Sequence, residues 1–299
     1  MADIMEEEAA AAKVKSIFIY PVKSCRGISV SQASISSTGF RWDRQWLVVN
    51  SRGRGYTQRV EPKLALIEVE LPTDAFSPGW EPNTNSFLVI RAVGMNTLKI
   101  PVVEPHEKAN AVSVWEWSGS AFDEGEEASK WFTDFLGKPC RLVRFDEESE
   151  TRPVDREYAR NYKVKFNDLY QFLILSQGSL DALNDRLEQP VLVNRFRPNI
   201  LVDGCESFAE DFWREIKIND STFLGHDLCH RCKGLGLSDY YTKHAFHDSQ
   251  VPTVNQETAE VGAEPTKTLM KFRSDKKLRP NDEKHQGRVY LGKMLVCKI

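Results

Sequence analysis

The chain has 299 residues, of which 41% are hydrophobic and 28% are charged, and this composition is typical of a globular protein and excludes global disorder. The 40 Lys and Arg residues nearly balance the 43 Asp and Glu residues, leaving a net charge of -3. No overall basic field therefore exists to bind nucleic acid or an anionic membrane, and any anion must be bound by a local cluster of basic residues.

The N-terminal segment predicts a tail without a targeting signal. Residues 1–13 combine acidic residues with an alanine run and contain no arginine, which is the opposite of a secretory signal or a mitochondrial transit peptide. We expect this tail to be disordered. No apolar run approaches the ~18 residues of a membrane-spanning helix, and six cysteines are too few for a secreted disulfide framework. These features indicate a cytoplasmic or mitochondrion-associated protein without a transmembrane segment.

From residue 14 to residue 145 the sequence has the pattern of a β-rich domain. Short runs of β-branched and aromatic residues, separated by Gly, Pro, Asn and Ser clusters, predict strands, and they lie at residues 16–20, 28–35, 45–50, 65–71, 86–90, 97–103 and 141–145. Gly53 and Gly55 predict a hairpin turn after the third run. One helix is predicted at residues 126–136, with Trp131 and Phe135 on a single face that packs against the core.

A charge-dense stretch at residues 146–160 is the best candidate for a linker, so we place a second domain at residues 146–299. An amphipathic helix is predicted there at residues 180–187, with Ser179 as its N-cap. Further strands are predicted at residues 199–202, 215–218 and 288–297. The whole pattern predicts a mostly β fold with a few helices, of the α+β class.

The sequence lacks the common catalytic signatures. It has no G-x-S-x-G elbow, no P-loop, no H-E-x-x-H and no G-x-G-x-x-G after a strand, which disfavours hydrolases, nucleotide kinases and Rossmann dehydrogenases. Basic residues near strand ends remain as candidates. Lys23 and Ser24 follow the first strand, where an ammonium, a hydroxyl and backbone N–H groups can converge on an anion. Such a turn on its own is more often simply solvated.

Each arginine near another strand can be interpreted either as a binding residue or as a structural one. Arg44 follows Asp43 directly, and a single arginine at such a position is more often a structural partner of its acidic neighbour. Arg195 and Arg197 alternate along a predicted strand, so only one of them can enter a pocket together with Asn199.

The pair Cys229 and Cys232 has three interpretations. With His244 and His247 it approaches a zinc-finger pattern, but both spacings differ from that pattern and the intervening residues supply little core. A thioredoxin-type redox pair needs a βαβ context, which the surrounding sequence does not offer. In the third interpretation, one thiolate binds a soft or high-valent metal whose other ligands come from a cofactor.

Six motifs, taken together and in this order, resemble the MOSC family, and within it the mitochondrial amidoxime-reducing components of the plant type. The motifs are YPVKSC at residues 20–25, DRQW at 43–46, TQRVEP at 57–62, NRFRPN at 194–199, EDFW at 210–213 and CHRC at 229–232. The resemblance extends over about residues 14–297.

The resemblance implies an N-terminal MOSC β-barrel domain at residues 14–145, a MOSC β-barrel at residues 146–299, and a molybdenum cofactor (Mo-molybdopterin) held between them. Its implied cofactor-binding residues are Lys23, Ser24, Arg44, Asp168, Arg197 and Asn199. Cys232, the second cysteine of its pair, is implied as the molybdenum ligand and the catalytic residue.

The implied activity is a molybdenum-dependent reductase that removes oxygen from small N-hydroxylated substrates, such as amidoximes and hydroxylamines, by two-electron oxygen transfer to molybdenum. Its implied partners are cytochrome b5 and NADH-cytochrome b5 reductase. The alternative is a molybdenum-cofactor carrier or sulfurtransferase-type MOSC protein without reductase turnover, because the same barrel forms the C-terminal part of molybdenum cofactor sulfurases. Those sulfurases carry a PLP domain for which this length leaves no room. A non-catalytic barrel is the third interpretation.

One segment departs from the pattern of the family. Residues 234–250 separate the CHRC motif from the segment VPTVNQET at residues 251–258, whereas the two run almost directly together in the family. We interpret the extra residues as a retained intron or a misplaced splice acceptor, with His244 and His247 as accidental mimics of zinc ligands. The chain also stops before a further barrel strand of the family, which we interpret as a second irregularity of the gene model.

Overall fold

The computed structural model describes residues 12–103, 107–154, 159–232, 251–280 and 288–298, and for Arg231, Cys232 and Val251 it describes the backbone alone. Most of the predicted tail and the departing segment at residues 234–250 lie outside these ranges. The strands are β1 (Lys13–Ile19), β2 (Ile28–Val30), β3 (Ile35–Ser36), β4 (Gly39–Phe40), β5 (Trp46–Asn50), β6 (Glu68–Glu70), β7 (Phe87–Arg91), β8 (Leu98–Pro101), β9 (Lys108–Val114), β10 (Trp117–Asp123), β11 (Cys140–Phe145), β12 (Arg152–Pro153), β13 (Lys163–Val164), β14 (Phe172–Ser176), β15 (Ile200–Asp203), β16 (Glu215–Ile218), β17 (Ser221–Cys232) and β18 (Arg288–Lys298). The α-helices are α1 (Gly125–Leu136), α2 (Gln177–Asn184), α3 (Thr266–Phe272) and α4 (Asp275–Leu278).

The largest sheet contains strands from both halves of the chain. Its order is β16-β17-β18-β14-β15-β1-β2. Its neighbouring strands are antiparallel, except for β14 and β15, which are parallel and are connected through α2, as a parallel pair requires a crossover. Ile17 in β1 pairs with Ile200 in β15. The sheet therefore crosses the domain boundary predicted at residue 146, which stays a prediction.

The remaining sheets belong mainly to the first half of the chain. One has four antiparallel strands in the order β5-β11-β10-β9, another has three in the order β6-β7-β8, and β3–β4 and β12–β13 form small pairs. The predicted fold class, mostly strands with a few helices, is confirmed. None of the helices in the described part of the chain is long and apolar enough to span a membrane.

One large hydrophobic cluster contains residues of both halves. It includes Trp46 and Phe132 from the first half and Phe172, Phe223 and Leu295 from the second. The helix predicted from its aromatic face is present as α1, which ends at Gly137 in the left-handed conformation, with a φ of 72°, a common helix terminator.

In the second half of the chain, local details differ from the sequence predictions at the cap of α2 and at the predicted linker. The N-cap of α2 is Ser176 and not Ser179, because the helix begins one turn before its apolar face, and the Ser176 hydroxyl accepts a hydrogen bond from the Ser179 backbone. The stretch predicted as a linker carries β12, in which Arg152 is buried. Arg152 donates to the carbonyls of Lys165 and Asn167 at 2.8 and 2.5 Å. Its guanidinium therefore bonds to main-chain groups inside the protein.

Candidate functional site

Loops that adjoin four strands meet at one place. They are residues 20–25 after β1, 42–45 before β5, 166–168 before β14 and 196–199 before β15. The backbone N–H of Arg44 donates to the Tyr20 carbonyl at 2.8 Å, and Nη2 of Arg44 donates to the Arg197 carbonyl at 3.4 Å. Because these loops touch, the cations Lys23, Arg44 and Arg197 share one site, which we call the basic cluster.

The ring of Tyr20 lies at the centre of the basic cluster. The guanidinium carbons of Arg44 and Arg197 each lie 4.3 Å from the ring centroid, a distance at which an aromatic ring attracts a cation. The Tyr20 hydroxyl donates to the Pro198 carbonyl at 3.1 Å, which fixes the ring. A Cβ on Gly27 would lie only 2.4 Å from the ring, so this position requires glycine. The Tyr20 ring thus makes cation–π contacts with two positively charged side chains.

The two arginines differ in how their charges are paired. Nη1 of Arg44 donates to Oδ2 of the buried Asp43 at 2.6 Å, whereas Nη2 of Arg197 is buried without a hydrogen-bond partner among the described residues. Burial lowers the pKa of Arg197 to about 10, and the neighbouring charge of Arg44 acts in the same direction. An unpaired buried donor is costly, so the site favours an anionic acceptor beside Arg197.

Lys23 is buried and bonded to the loop before β14. Its Nζ donates to the Phe166 carbonyl at 2.7 Å and to Oδ1 of Asp168 at 2.5 Å. Burial lowers the pKa of Lys23 to about 8, although Asp168 opposes the change. Desolvation opposes ionisation of Asp168, but Lys23 and Arg59 outweigh it and hold the pKa of that carboxyl well below its usual range. Asp168 is therefore a counter-ion at neutral pH.

Three of the predicted cofactor residues have left-handed backbone conformations. The φ angles of Ser24, Arg44 and Arg197 are 72°, 48° and 54°. Such angles cost a residue other than glycine of the order of 1–3 kcal/mol and persist where the surrounding structure enforces them, often at functional sites. The concentration of strained backbone in these loops is consistent with a binding role.

Asn199 has a different environment from the other predicted residues. Its Oδ1 accepts from the Leu173 backbone N–H at 3.3 Å, and its Nδ2 donates to the Phe18 carbonyl at 3.2 Å. The side chain thus connects β1 with β14 through their main chains. Its contact with a cofactor stays a prediction.

Two residues of the site were missed by the sequence patterns. Nη2 of Arg152 donates to the Asp168 carbonyl at 3.0 Å, whereas the charge-dense sequence around Arg152 had predicted a linker. Trp115, in the turn between β9 and β10, is 36% exposed. Its ring lies 4.5 Å from the Arg59 guanidinium carbon and 5.7 Å from Nζ of Lys23. The sequence signal that could have indicated Trp115 as a site residue is its position as an aromatic residue at the tip of a hairpin.

The predicted metal ligand lies at the end of a strand of the large sheet. Cys232 is the last residue of β17 and pairs with Arg288 of β18, and Cys229 is buried three residues earlier. No group of three or more His, Cys, Asp or Glu side chains that could hold a metal occurs within the described ranges. His244 and His247 lie outside the described residues. The role of Cys232 as a ligand stays a prediction.

The donor set of the basic cluster fits a phosphate-bearing ligand. Guanidinium and ammonium groups form the strong charge-assisted hydrogen bonds that phosphate oxygens accept. Lys23, Arg44 and Arg197 supply such groups within one site, and the unpaired Nη2 of Arg197 is a donor that no described residue satisfies. In a protein with a net charge of -3, this local arrangement is what an anion requires.

Comparisons with known proteins identify both halves of the chain. Residues 11–139 match the family model of the MOSC N-terminal beta barrel domain, and residues 161–292 match that of the MOSC domain. The chain is 36% identical over 228 residues to mitochondrial amidoxime reducing component 2 of Bos taurus and 36% identical over 230 residues to mitochondrial amidoxime-reducing component 1 of Homo sapiens. Each alignment covers 73% of this chain and 64% of the relative, so the chain spans somewhat less than two thirds of the length of these relatives.

The chain is also 29% identical over 298 residues to molybdenum cofactor sulfurase of Danio rerio, and this alignment covers 91% of this chain and 32% of that protein.

Proposed function

Because the chain belongs to the MOSC-domain family, we propose that it binds a molybdenum cofactor and reduces N-hydroxylated compounds such as amidoximes and hydroxylamines. The observation that carries the proposal is the Arg197 guanidinium, whose Nη2 is buried without a partner among the described residues and which shares the Tyr20 ring with Arg44. Two guanidiniums held on one ring favour a bound anion, and the phosphate of the cofactor is such an anion.

The basic cluster, together with Ser24, would hold the cofactor through its phosphate. Arg197 and Arg44 donate from their guanidiniums, Lys23 supplies an ammonium, and Ser24 supplies a hydroxyl. Asp43 restrains Arg44 through their 2.6 Å ion pair, so the guanidinium is oriented before binding. The Cys232 thiolate would bind the metal. When bound, the cofactor supplies the two-electron redox chemistry that accepts oxygen from an N–O bond.

The proposal includes electron-transfer partners and a location. In this proposal, electrons for turnover come from cytochrome b5 and NADH-cytochrome b5 reductase. The proposal also places the protein in association with mitochondria, the location that the names of the relatives print for them. Omitting either partner from an NADH-driven assay should abolish turnover, and imaging the full-length protein tests its location.

The cysteine pair provides a direct test of the reductase. The purified protein is expected to contain molybdenum and to reduce benzamidoxime with NADH and both partners. Cys232→Ala should abolish this reduction, because it removes the thiolate ligand, while Cys229→Ala should retain substantial activity. Equal loss in both variants would instead indicate a shared zinc site or a disulfide.

The arginines provide a test of cofactor binding. Arg197→Ala removes charge-assisted hydrogen bonds that are worth about 1.5–3 kcal/mol each, so the affinity for the cofactor should fall roughly ten- to a hundredfold. Molybdenum content per protein chain measures the loss, and circular dichroism confirms that the fold is retained. Arg195→Ala is the matched control, because Arg195 donates to the Pro252 carbonyl at 3.2 Å outside the basic cluster. Normal molybdenum content and turnover in Arg197→Ala would contradict the proposal.

A cofactor-carrier role is the second candidate. It is favoured by the sulfurase relative, whose alignment covers 91% of this chain. The same measurements separate the candidates: bound molybdenum without benzamidoxime reduction supports a carrier, whereas a protein that binds no molybdenum supports a non-catalytic role.

A further inference from the structure

Two buried glutamines form a reciprocal hydrogen-bonded pair beside the basic cluster. Gln58 is 0% exposed and Gln256 is 3% exposed. Nε2 of Gln58 donates to Oε1 of Gln256 at 3.0 Å, and Nε2 of Gln256 donates to Oε1 of Gln58 at 2.9 Å. Each amide thus satisfies the other in a place that water does not reach, and loss of either would leave a buried polar group unpaired.

Gln58 holds Ser24 from two sides. The backbone N–H of Gln58 donates to Oγ of Ser24 at 3.3 Å, and Nε2 of Gln58 donates to the Ser24 carbonyl at 2.6 Å. Ser24 has a φ of 72°, a conformation that serine adopts only where its surroundings enforce it. The two bonds from Gln58 restrain Ser24 in this conformation, together with the main-chain bonds of Lys23 and Cys25 on either side of it.

Gln256 is itself anchored to the same region. Its Nε2 also donates to the Val254 carbonyl at 3.1 Å, and its backbone carbonyl accepts from Nη2 of Arg26 at 3.2 Å. In sequence, Gln256 follows the CHRC motif, whereas Gln58 belongs to the first half of the chain. The pair therefore connects the segment after the predicted metal ligand to the loop that carries Lys23 and Ser24.

We propose that Gln58 and Gln256 are positioning residues for cofactor binding: Gln256 fixes Gln58, and Gln58 keeps Ser24 and the adjoining Lys23 in the conformation that binds the cofactor phosphate. This inference rests on the proposed function, since Ser24 is a cofactor contact only within it. Neither glutamine touches the cofactor in this scheme.

The chain contains a matched control in Gln171. This glutamine is also buried, and its Nε2 donates to the carbonyls of Ser37 and Lys163 at 2.8 and 3.1 Å. Its Oε1 accepts from the Cys297 backbone at 3.0 Å. It thus has the same residue type, similar burial and a similar number of hydrogen bonds, but its side chain bonds to no member of the basic cluster.

The experiment compares Gln256→Met with Gln171→Met in the full-length protein, since methionine has a similar volume and removes the amide. Amide hydrogen exchange reports on residues 23–26, where the N–H groups of Lys23, Cys25 and Arg26 bond to other main-chain carbonyls. Gln256→Met should speed exchange there about tenfold and lower molybdenum content by a similar factor. Gln171→Met should lower thermal stability without either effect. Gln256→Glu retains an acceptor for Gln58 and should be intermediate.

Unchanged exchange at residues 23–26 in Gln256→Met would overturn the proposal, and so would faster exchange with a wild-type molybdenum content. Equal effects in Gln171→Met would show a structural role only. If the wild-type protein holds no molybdenum, the proposed function fails, and the exchange measurement still decides whether the pair positions the loop. If Gln256→Met does not fold, Gln256→Glu supplies the same comparison.

Discussion

The ion pair of Lys23 and Asp168 is asymmetric at the scale of single residues. The Lys23 side chain is 6% exposed, whereas that of Asp168 is 58% exposed. An anion that enters the basic cluster therefore contacts an ammonium that buried protein groups hold in place. The Asp168 carboxylate, when displaced from Lys23, can be hydrated by solvent. Binding a phosphate in this arrangement means that the anion competes with Asp168 for Lys23.

We expect the titration of Lys23 to affect two properties in opposite directions. As the pH rises, the free energy of unfolding should increase and anion binding should weaken. Its pKa is lowered by burial to about 8 from an ordinary 10.5. Between these values the unfolded chain binds more protons than the folded one, so the contribution of Lys23 to the free energy of unfolding rises with pH. Over the same range the folded protein loses an ammonium, so anion binding weakens.

Denaturant unfolding and molybdenum retention, both measured from about pH 7 to pH 10, test this expectation for Lys23. Lys23→Arg is the control, because a guanidinium whose pKa burial lowers to about 10, as at Arg197, stays mostly charged up to about pH 9, so both dependences should disappear below that pH. An equal decline of molybdenum retention in Lys23→Arg would assign the effect to another group.

The convergence of the site residues could be predicted only in part. Lys23 and Ser24 were recognisable because a cation and a hydroxyl in a turn after a strand are a local signal. The shared Tyr20 ring was not predictable, since it depends on contacts between residues 20 and 197 that only the paired strands β1 and β15 bring together. The unpaired Nη2 of Arg197 likewise results from burial and not from a sequence pattern.

At the scale of elements, the start of α2 is stabilised by a buried carboxylate. Glu210 is fully buried. Its Oε1 accepts from the Ser176 backbone at 3.2 Å, and its Oε2 accepts from the Ser179 hydroxyl at 2.9 Å. A negative charge at a helix N-terminus complements the partial positive charge of the unpaired N–H groups. This arrangement fixes the crossover between the parallel strands β14 and β15.

Ser176→Ala tests the cap of α2. The substitution removes the hydroxyl that accepts from the Ser179 backbone at 3.1 Å, and loss of such a cap lowers the free energy of unfolding by about 1 kcal/mol. Urea unfolding measures the change. Ser51→Ala, at an exposed turn position, should change stability by less than about 0.5 kcal/mol. Equal stabilities of the two variants would show that the cap contributes nothing.

Elements with a regular local pattern were predicted well, and those set by proline or bulges were not. Helix α1 follows from its 3.6-residue period. The strand predicted at residues 65–71 is instead a 3-10 turn, Pro62–Leu66, followed by the short β6, because Pro62 presets φ and lacks an N–H. Strand β17 was not predicted, since its bulges around Leu228 interrupt the two-residue alternation.

At the scale of the whole molecule, Asn199 connects the two halves. We expect Asn199→Ala to lower the free energy of unfolding of the cofactor-free protein by about 1–3 kcal/mol, because it removes two hydrogen bonds to main-chain groups of β1 and β14. Since one core spans both halves, calorimetry should show a single transition that moves to lower temperature. Two transitions, or an unchanged midpoint, would contradict this structural role.

The position of β1 in the large sheet also constrains how the protein is made. Its partner Ile200 follows Ile17 by 183 positions, which at ribosomal speeds of about 5–20 residues per second corresponds to roughly 10–40 s of synthesis. During that interval an emerging N-terminal strand has no partner on one edge and exposes apolar side chains. We therefore expect cellular chaperones to bind this open edge of the nascent chain, and the loop that follows β1 acquires its final form only after β15 has been synthesised.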